Sequence, residues 1–233
     1  MRPIKADYLP KGDIERATQQ LLGQYQQRFP LHDDRPIPVE EILESQGLTL
    51  ELEDIRASHG AGVLGYLSVQ QRLVVVDYTL DPTEDPGQEG RYRFTIGHEL
   101  GHWWLHRHLI DRSIAGQLSL FDEVESPDFI CRSGDIDPVE WQANQFAAFL
   151  LMPTERVKSA WIALHGTLVP YLAAEEMAEQ RASSRWYGRS DKPPVALARR
   201  LASQWAVSAQ AMQLRLLDMG LVRDERPGDQ LFY

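Results

Sequence analysis

The chain has 233 residues, of which 43% are hydrophobic, and a formal net charge of −10. That is enough apolar material for a substantial core, while the acidic balance argues against a general nucleic-acid binder, whose phosphate contacts need concentrated basic surface. The single cysteine, Cys131, excludes an intrachain disulfide and suits a reducing compartment.

Residues 1–12 contain no apolar stretch of the signal-peptide kind and no run reaches the length of a membrane span, so a cytoplasmic protein without membrane attachment is expected. Residues 13–29 read as an amphipathic helix with Ile14, Ala17, Leu21, Leu22 and Tyr25 on one face, ended by Pro30. A short helix over 37–45 is closed by Gly47. The alternation of Leu48, Leu50 and Leu52 predicts a strand, and residues 61–68 and 73–78 predict a hairpin. Acid concentrates in residues 81–89 and again at Asp122, Glu123, Glu125 and Asp128. Solvated loops are the plainer reading of both stretches; if they flank a cleft, they steer a basic substrate toward it.

Residues 91–106 predict a helix whose apolar Phe94, Ile96, Leu100, Trp103, Trp104 and Leu105 cover much of its circumference, so it should be largely buried. It carries His98-Glu99-Leu100-Gly101-His102. An H-E-x-x-H pattern on a helix places two imidazoles one turn apart on a shared face with a carboxylate beside them, the arrangement of zinc hydrolases. Buried histidines need partners and a buried, unpaired carboxylate is strongly disfavoured; a metal ion satisfies all three groups together. Thr95 and Gly97 are small residues that suit close packing just before the first histidine.

Two residues compete to be the third ligand. His108 stands six residues after His102, near the metzincin spacing, but that pattern needs glycine at the position of Leu105, and leucine does not make the required sharp turn cheaply. Glu140 is the stronger candidate. It lies in the first turn of a second apolar helix, started by Asp137-Pro138 and stopped by Pro153, whose Ala143 and Ala147 permit close approach. Glu140 completes a His₂Glu set that leaves one position open for water, and Asn144, one turn on, is placed to orient a ligand from behind.

The run Arg93-Phe94-Thr95-Ile96-Gly97-His98-Glu99-Leu100-Gly101-His102, the pair Leu105-His106 and the segment Glu140-x-x-Ala-Asn-x-Phe-Ala-Ala-x-Leu-Leu-Met-Pro together resemble the ImmA/IrrE metallopeptidases. The likeness covers residues 12–155, with a weaker match through 222. It implies a gluzincin-like zinc site with His98, His102 and Glu140 as ligands and Glu99 as catalytic acid/base, with manganese as the alternative metal. Many relatives carry an acidic residue where this chain has Gln142, which leaves Glu140 as the lone carboxylate of that pair. The resemblance further implies a protein substrate, a helix-turn-helix transcriptional repressor whose cleavage derepresses stress-response or mobile-element genes. Tyr92, Arg93 and His106 are candidates to stabilise the oxyanion, His106 equally a partner behind the metal.

Beyond Pro153, helices are predicted through Trp161 and over 170–182, followed by a linker at 183–194 rich in Ser, Gly and Pro. Residues 195–221 read as helix, turn and helix, with Ser208 capping the second, and resemble a helix-turn-helix. Its groove helix offers only Gln210, Gln213 and Arg215 as base readers, so packing or partner recognition is preferred over DNA binding. Cys131 reads as an inert loop thiol. The expected fold is α+β: a small antiparallel or mixed sheet packed against the zinc-site helices, then an all-helical C-terminal part, divided as 1–155, 156–194 and 195–233. The expected function is zinc-dependent endopeptidase; the alternative is a DNA- or repressor-binding regulator whose metal site is structural or silent.

Overall fold

A computed structural model describes residues 6–60, 62–110, 129–132, 137–183 and 191–224. The second acidic stretch, Asp122 to Asp128, and most of the expected linker lie outside these residues. The chain divides into two compact units, Met1–His32 with Ile37–Leu151, and Asp33–Pro36 with Met152–Tyr233.

The first unit contains α1 (Lys11–Gln26), α2 (Val39–Ser45), β1 (Thr49–Glu53), α3 (Arg56–His59), β2 (Val63–Ser68), β3 (Leu73–Asp77), α4 (Glu89–Gly101), β4 (Phe129–Arg132) and α5 (Pro138–Leu151). Helical spacing buries Ile14, Thr18, Leu21, Leu22 and Tyr25 of α1. The helix stops short of Pro30 because the amides of Arg28 and Phe29 both turn back onto the Tyr25 carbonyl at 3.0 Å. Past Gly101, α4 continues through one π-helical turn, His102–His106, and then resumes as α-helix over 107–110.

The fold is α+β, with a mixed sheet in the strand order β1-β3-β2-β4. The predicted hairpin is β2 and β3, antiparallel with Gly65 opposite Val76 and Leu67 opposite Val74. β1 joins β3 in parallel, and β4 joins the other side of β2 antiparallel. Central β3 buries Val74, Val75 and Val76, as a strand flanked on both edges and covered on both faces should. Edge strand β1 leaves Leu52 39% exposed. Cys131, expected in a loop, lies in β4 and is buried.

Two close approaches fix α4 in place. A Cβ at Gly65 of β2 would sit 2.7 Å from Thr95 Cγ2 and 2.9 Å from the Val75 carbonyl oxygen, so only glycine lets the strand lie against the helix. On its other side α4 meets α5. A Cβ at Gly101 would stand 3.0 Å from Ala143 Cα, and one at Gly97 would stand 3.3 Å from Ala147 Cβ. Small residues on both helices therefore bring the two backbones together, which carries Glu140, in the first turn of α5, to the level of the histidines.

The second unit contains α6 (Thr154–His165), β5 (Tyr171–Leu172), α7 (Ala174–Ala182), α8 (Ala196–Gln204), α9 (Ala209–Asp218) and β6 (Val222–Arg223). It is largely helical, with one short parallel ladder. The amides of Tyr171 and Ala173 bond the carbonyls of Leu221 and Arg223, both at 2.8 Å, so the helix predicted from 170 starts only at Ala174. Ser208 caps α9 by accepting from the Ala211 amide at 3.0 Å, as its sequence position predicts. Two of the three polar residues on α9 that could have read bases point inward. Gln213 is fully buried and accepts from the Val195 amide at 3.1 Å, and buried Arg215 donates to the Met152 carbonyl at 3.2 Å and to Thr154 Oγ1 at 2.6 Å. Gln210 donates to the Lys192 carbonyl at 3.1 Å. No helix among the described residues is long and apolar enough to cross a membrane.

Gly65→Ala is expected to destabilise the protein by about 1–3 kcal/mol through overpacking, read as a lowered urea midpoint. An unchanged midpoint would show that β2 and α4 are not in the contact described.

Candidate metal centre

Both histidines of the H-E-x-x-H pattern and Glu140 converge on one point. His98 and His102 face each other with Nε2 atoms 2.9 Å apart. The two oxygens of Glu140 stand 3.0 Å from His98 Nε2 and 3.2 Å from His102 Nε2. Both imidazoles are buried and the carboxylate nearly so.

The surrounding hydrogen bonds decide which face of each imidazole carries a proton. His98 Nδ1 lies 3.0 Å from Asn144 Oδ1, and since an amide oxygen only accepts, His98 Nδ1 is the donor. A longer relay orients His102. Gln142 donates through Nε2 to the Asp7 carbonyl at 2.8 Å, which turns its Oε1 toward His106 Nε2 at 3.0 Å. His106 therefore carries its proton on Nε2. Burial pushes its pKa down, so the ring is neutral and its Nδ1 accepts from His102 Nδ1, 3.1 Å away.

Both histidines are thus set to turn an unprotonated Nε2 toward each other and toward a carboxylate. Three acceptors this close repel one another unless positive charge lies between them. One proton relieves the repulsion in part. Against the effect of burial, contacts with Cys131, Glu140 and Glu99 push His98 well above its ordinary range, whereas burial holds His102 down to about 3. A divalent ion relieves it fully. Tetrahedral ligands at roughly 2.0–2.1 Å from zinc lie roughly 3.3–3.4 Å from each other, close to the spacing observed, so the donor set fits such an ion.

Glu99 is completely buried and neither of its carboxylate oxygens has a hydrogen-bond partner among the described residues. Burial lifts its pKa to about 8, with the charge of His98 opposing and that of Glu140 assisting. A carboxylate left this way is costly unless a ligand of the site takes up its oxygens. β4 closes the cluster from the sheet side. The Phe129 ring stacks on His102 with centroids 4.4 Å apart and planes 14° from parallel. Cys131, two residues on, brings its sulfur within 4.8 Å of the ligand atoms of His98 and Glu99. No spacing rule connects residue 131 to residue 98; only the pairing of β4 with β2 does.

The chain matches the family model of the IrrE N-terminal-like domain over residues 44–217. It belongs to that family of metallopeptidases. No curated protein matches it.

Not every candidate residue reaches the centre of this IrrE-like peptidase. His98, Glu99, His102, His106, Glu140 and Asn144 are assembled there. His108 is exposed on the far part of the helix. Tyr92 is buried against Glu40 of α2, which, after burial itself, raises the phenol well above its usual range. Arg93 donates to the Ile37 carbonyl. Both tie α4 to the region of α2 instead of entering the cluster. In the acidic 81–89 stretch, Asp81 accepts from the Thr83 amide at 2.8 Å and Asp85 from the Gly87 amide at 2.9 Å, so these two side chains shape local turns. Sequence reasoning missed the part played by Gln142, which stands where an acid was expected, and by Asp7, whose carbonyl anchors it.

Gln142→Ala is expected to free His106 and, through it, His102 from a fixed tautomer, weakening metal affinity by about 10–100-fold with the circular dichroism unchanged. Competition with a chromogenic chelator measures it; unaltered affinity would show that the relay does not set His102.

Proposed function

We propose that this chain is a zinc-dependent endopeptidase in which His98, His102 and Glu140 hold the ion and Glu99 is the catalytic acid/base, manganese being the alternative metal. The observation that carries this reading is the convergence of two imidazole Nε2 atoms and a carboxylate beside a buried glutamate that has no partner among the described residues.

When bound, the ion supplies Lewis acidity, polarising the scissile carbonyl and lowering the pKa of a water molecule. Glu99 accepts the proton of the attacking water on a carboxylate oxygen and returns it to the nitrogen of the departing amine as the C–N bond breaks. A carboxyl lifted toward neutrality by burial serves both halves of that exchange. Asn144 and His106 keep the two histidines from rotating during the cycle. Among the described strands β4 is at the end of the sheet, and its Phe129 ring stacks on His102. An extended peptide added beside it gains main-chain hydrogen bonds and lies across the centre.

The substrate we assign is a cytoplasmic helix-turn-helix transcriptional repressor, whose cleavage derepresses stress-response or mobile-element genes; family membership and the resemblance of the metal-centre residues support it. In this reading residues 1–155 form the peptidase, 156–194 a helical extension and linker, and 195–233 a helix-turn-helix-like segment that serves packing or partner recognition. The burial of Gln213 and Arg215 supports that use over base reading.

Glu99→Gln keeps the shape of the side chain and removes the proton carrier, so peptidase activity should fall by about 10²–10⁴-fold while bound metal stays constant. Comparing new protein N-termini by mass spectrometry in cells producing either form reads this directly, and a repressor cut equally well by both would sink the assignment. Stripping the metal with a chelator should abolish cleavage, and added zinc should restore it.

A further inference from the structure

We propose that the cleft between the β2–β3 turn and the continuation of α4 is a binding site for a phosphate dianion, held by the guanidiniums of Arg72 and Arg107 beside the Trp103 indole. The site stands apart from the metal centre, and nothing in it depends on how that centre is read.

Gln46, Val69, Arg72, Trp103 and Arg107 line the cleft, whose volume is about 400 Å³, within the range of small-molecule sites. Two cations line it and no carboxylate does, in a chain of net charge −10. The Cζ atoms of Arg72 and Arg107 stand 6.0 and 5.1 Å from the Trp103 ring centroid. Cation–π contact of this kind positions a guanidinium without neutralising it. Arg107 donates one N–H to the Trp103 carbonyl at 2.8 Å, and neither arginine has an ion pair among the described residues. Like charges gathered at one indole repel each other, and an anion between them removes that repulsion.

The backbone supplies a second, independent observation. Arg72 closes the turn between β2 and β3 with a φ of 53°, its amide bonding the Val69 carbonyl at 3.3 Å. A left-handed residue at the end of a hairpin turn is ordinarily glycine. Holding a long side chain there costs stability, and such outliers gather where the side chain is needed. Gly47 leaves the guanidinium its place, since a Cβ there would stand 3.3 Å from Arg72 Nη1. The ligand class follows from the donors. A phosphate monoester carries roughly −1.5 to −2 charges at pH 7 and has three acceptor oxygens, enough for two guanidiniums arriving from different elements, whereas one guanidinium already fills a carboxylate. None of the lining side chains is a nucleophile or a general base, so the cleft binds its anion without transforming it.

Calorimetric titration of the full chain with inorganic phosphate, phenyl phosphate and acetate, at constant ionic strength, tests this. Both phosphates are expected to bind saturably, one per chain, and acetate at least about tenfold more weakly. Tighter binding of phenyl phosphate would support an organic phosphate ester as the occupant, and equal affinities would support free phosphate. Arg72→Gly and Arg107→Gln should each weaken phosphate binding at least about tenfold, the cost of losing a charged hydrogen-bond partner. Glycine adopts the turn's φ freely, so Arg72→Gly should also keep or raise the urea midpoint, a combination that an arginine of purely structural use would not give. Because the two arginines belong to different elements, one variant decides if the other folds poorly. The proposal is overturned by the absence of saturable phosphate binding to the wild-type chain, by acetate binding as tightly as phosphate, or by phosphate binding that survives both substitutions and so belongs to the metal centre or another surface.

Discussion

Between α4 and α5 a Cβ at Gly97 or Gly101 would stand 3.3 Å from Ala147 Cβ or 3.0 Å from Ala143 Cα, so the two helices would have to give way by a few tenths of an ångström to admit one. Metal-centre geometry depends on this steric constraint. Glu140 belongs to α5 and the two histidines to α4 and the turn that continues it, and in the proposed centre their ligand atoms must meet within a few tenths of an ångström to share an ion. Bulkier residues at the crossing would push the helices apart by an amount of that same order. A second close approach, Gly65 against Thr95, holds α4 down on the sheet so that β4 passes over the same imidazoles. The helix is clamped from both sides, and neither contact involves a residue that touches substrate in the proposed reaction.

Pre-organisation costs stability. The fold collects three buried histidines, a nearly buried glutamate and a Glu99 without a partner among the described residues in one place, an arrangement that opposes folding and that a cation of the proposed kind would relieve. Binding to the folded chain alone returns stabilisation by mass action. The hydrogen-bond relay matters here because it commits each imidazole nitrogen in advance. It runs from the Asp7 carbonyl through Gln142 and His106 to His102, so the segment preceding α1 takes part in setting the chemistry of α4. Tyr8, stacked on Trp141 with centroids 6.0 Å apart, holds the same segment against the first turn of α5.

What the sequence made legible was local. H-E-x-x-H is a spacing, and α4 and α5 announce themselves through apolar composition, Pro138 and Pro153. The hairpin follows from alternation and Ser208 from capping chemistry. Other features were not legible because they depend on residues remote in the chain. β4 is only four residues long and exists through its pairing with β2, so Cys131 read as a loop thiol. The parallel partnership of β1 with β3 leaves no trace in either strand. Gln213 and Arg215 have the chemistry of base readers, and only the positions of Val195, Met152 and Thr154 reveal that they serve the interior. Gln142 showed as a departure from an expected acid, but its role required knowing where Asp7 lies.

The π-helical turn at His102–His106 alters everything downstream of it on the helix. Such a turn accommodates one residue more than an α-turn, which rotates the following segment by about 100° relative to an unbroken helix. Past this point a helical wheel drawn from the first half of α4 assigns residues to the wrong side. The rotation leaves His108 exposed and sets the Arg107 guanidinium 5.1 Å from the Trp103 ring centroid and 5.9 Å from that of Trp104. The helix therefore presents two differently phased surfaces, one directed at chemistry and one carrying a cation over indoles, and a single added residue would be enough to slip the second relative to the first.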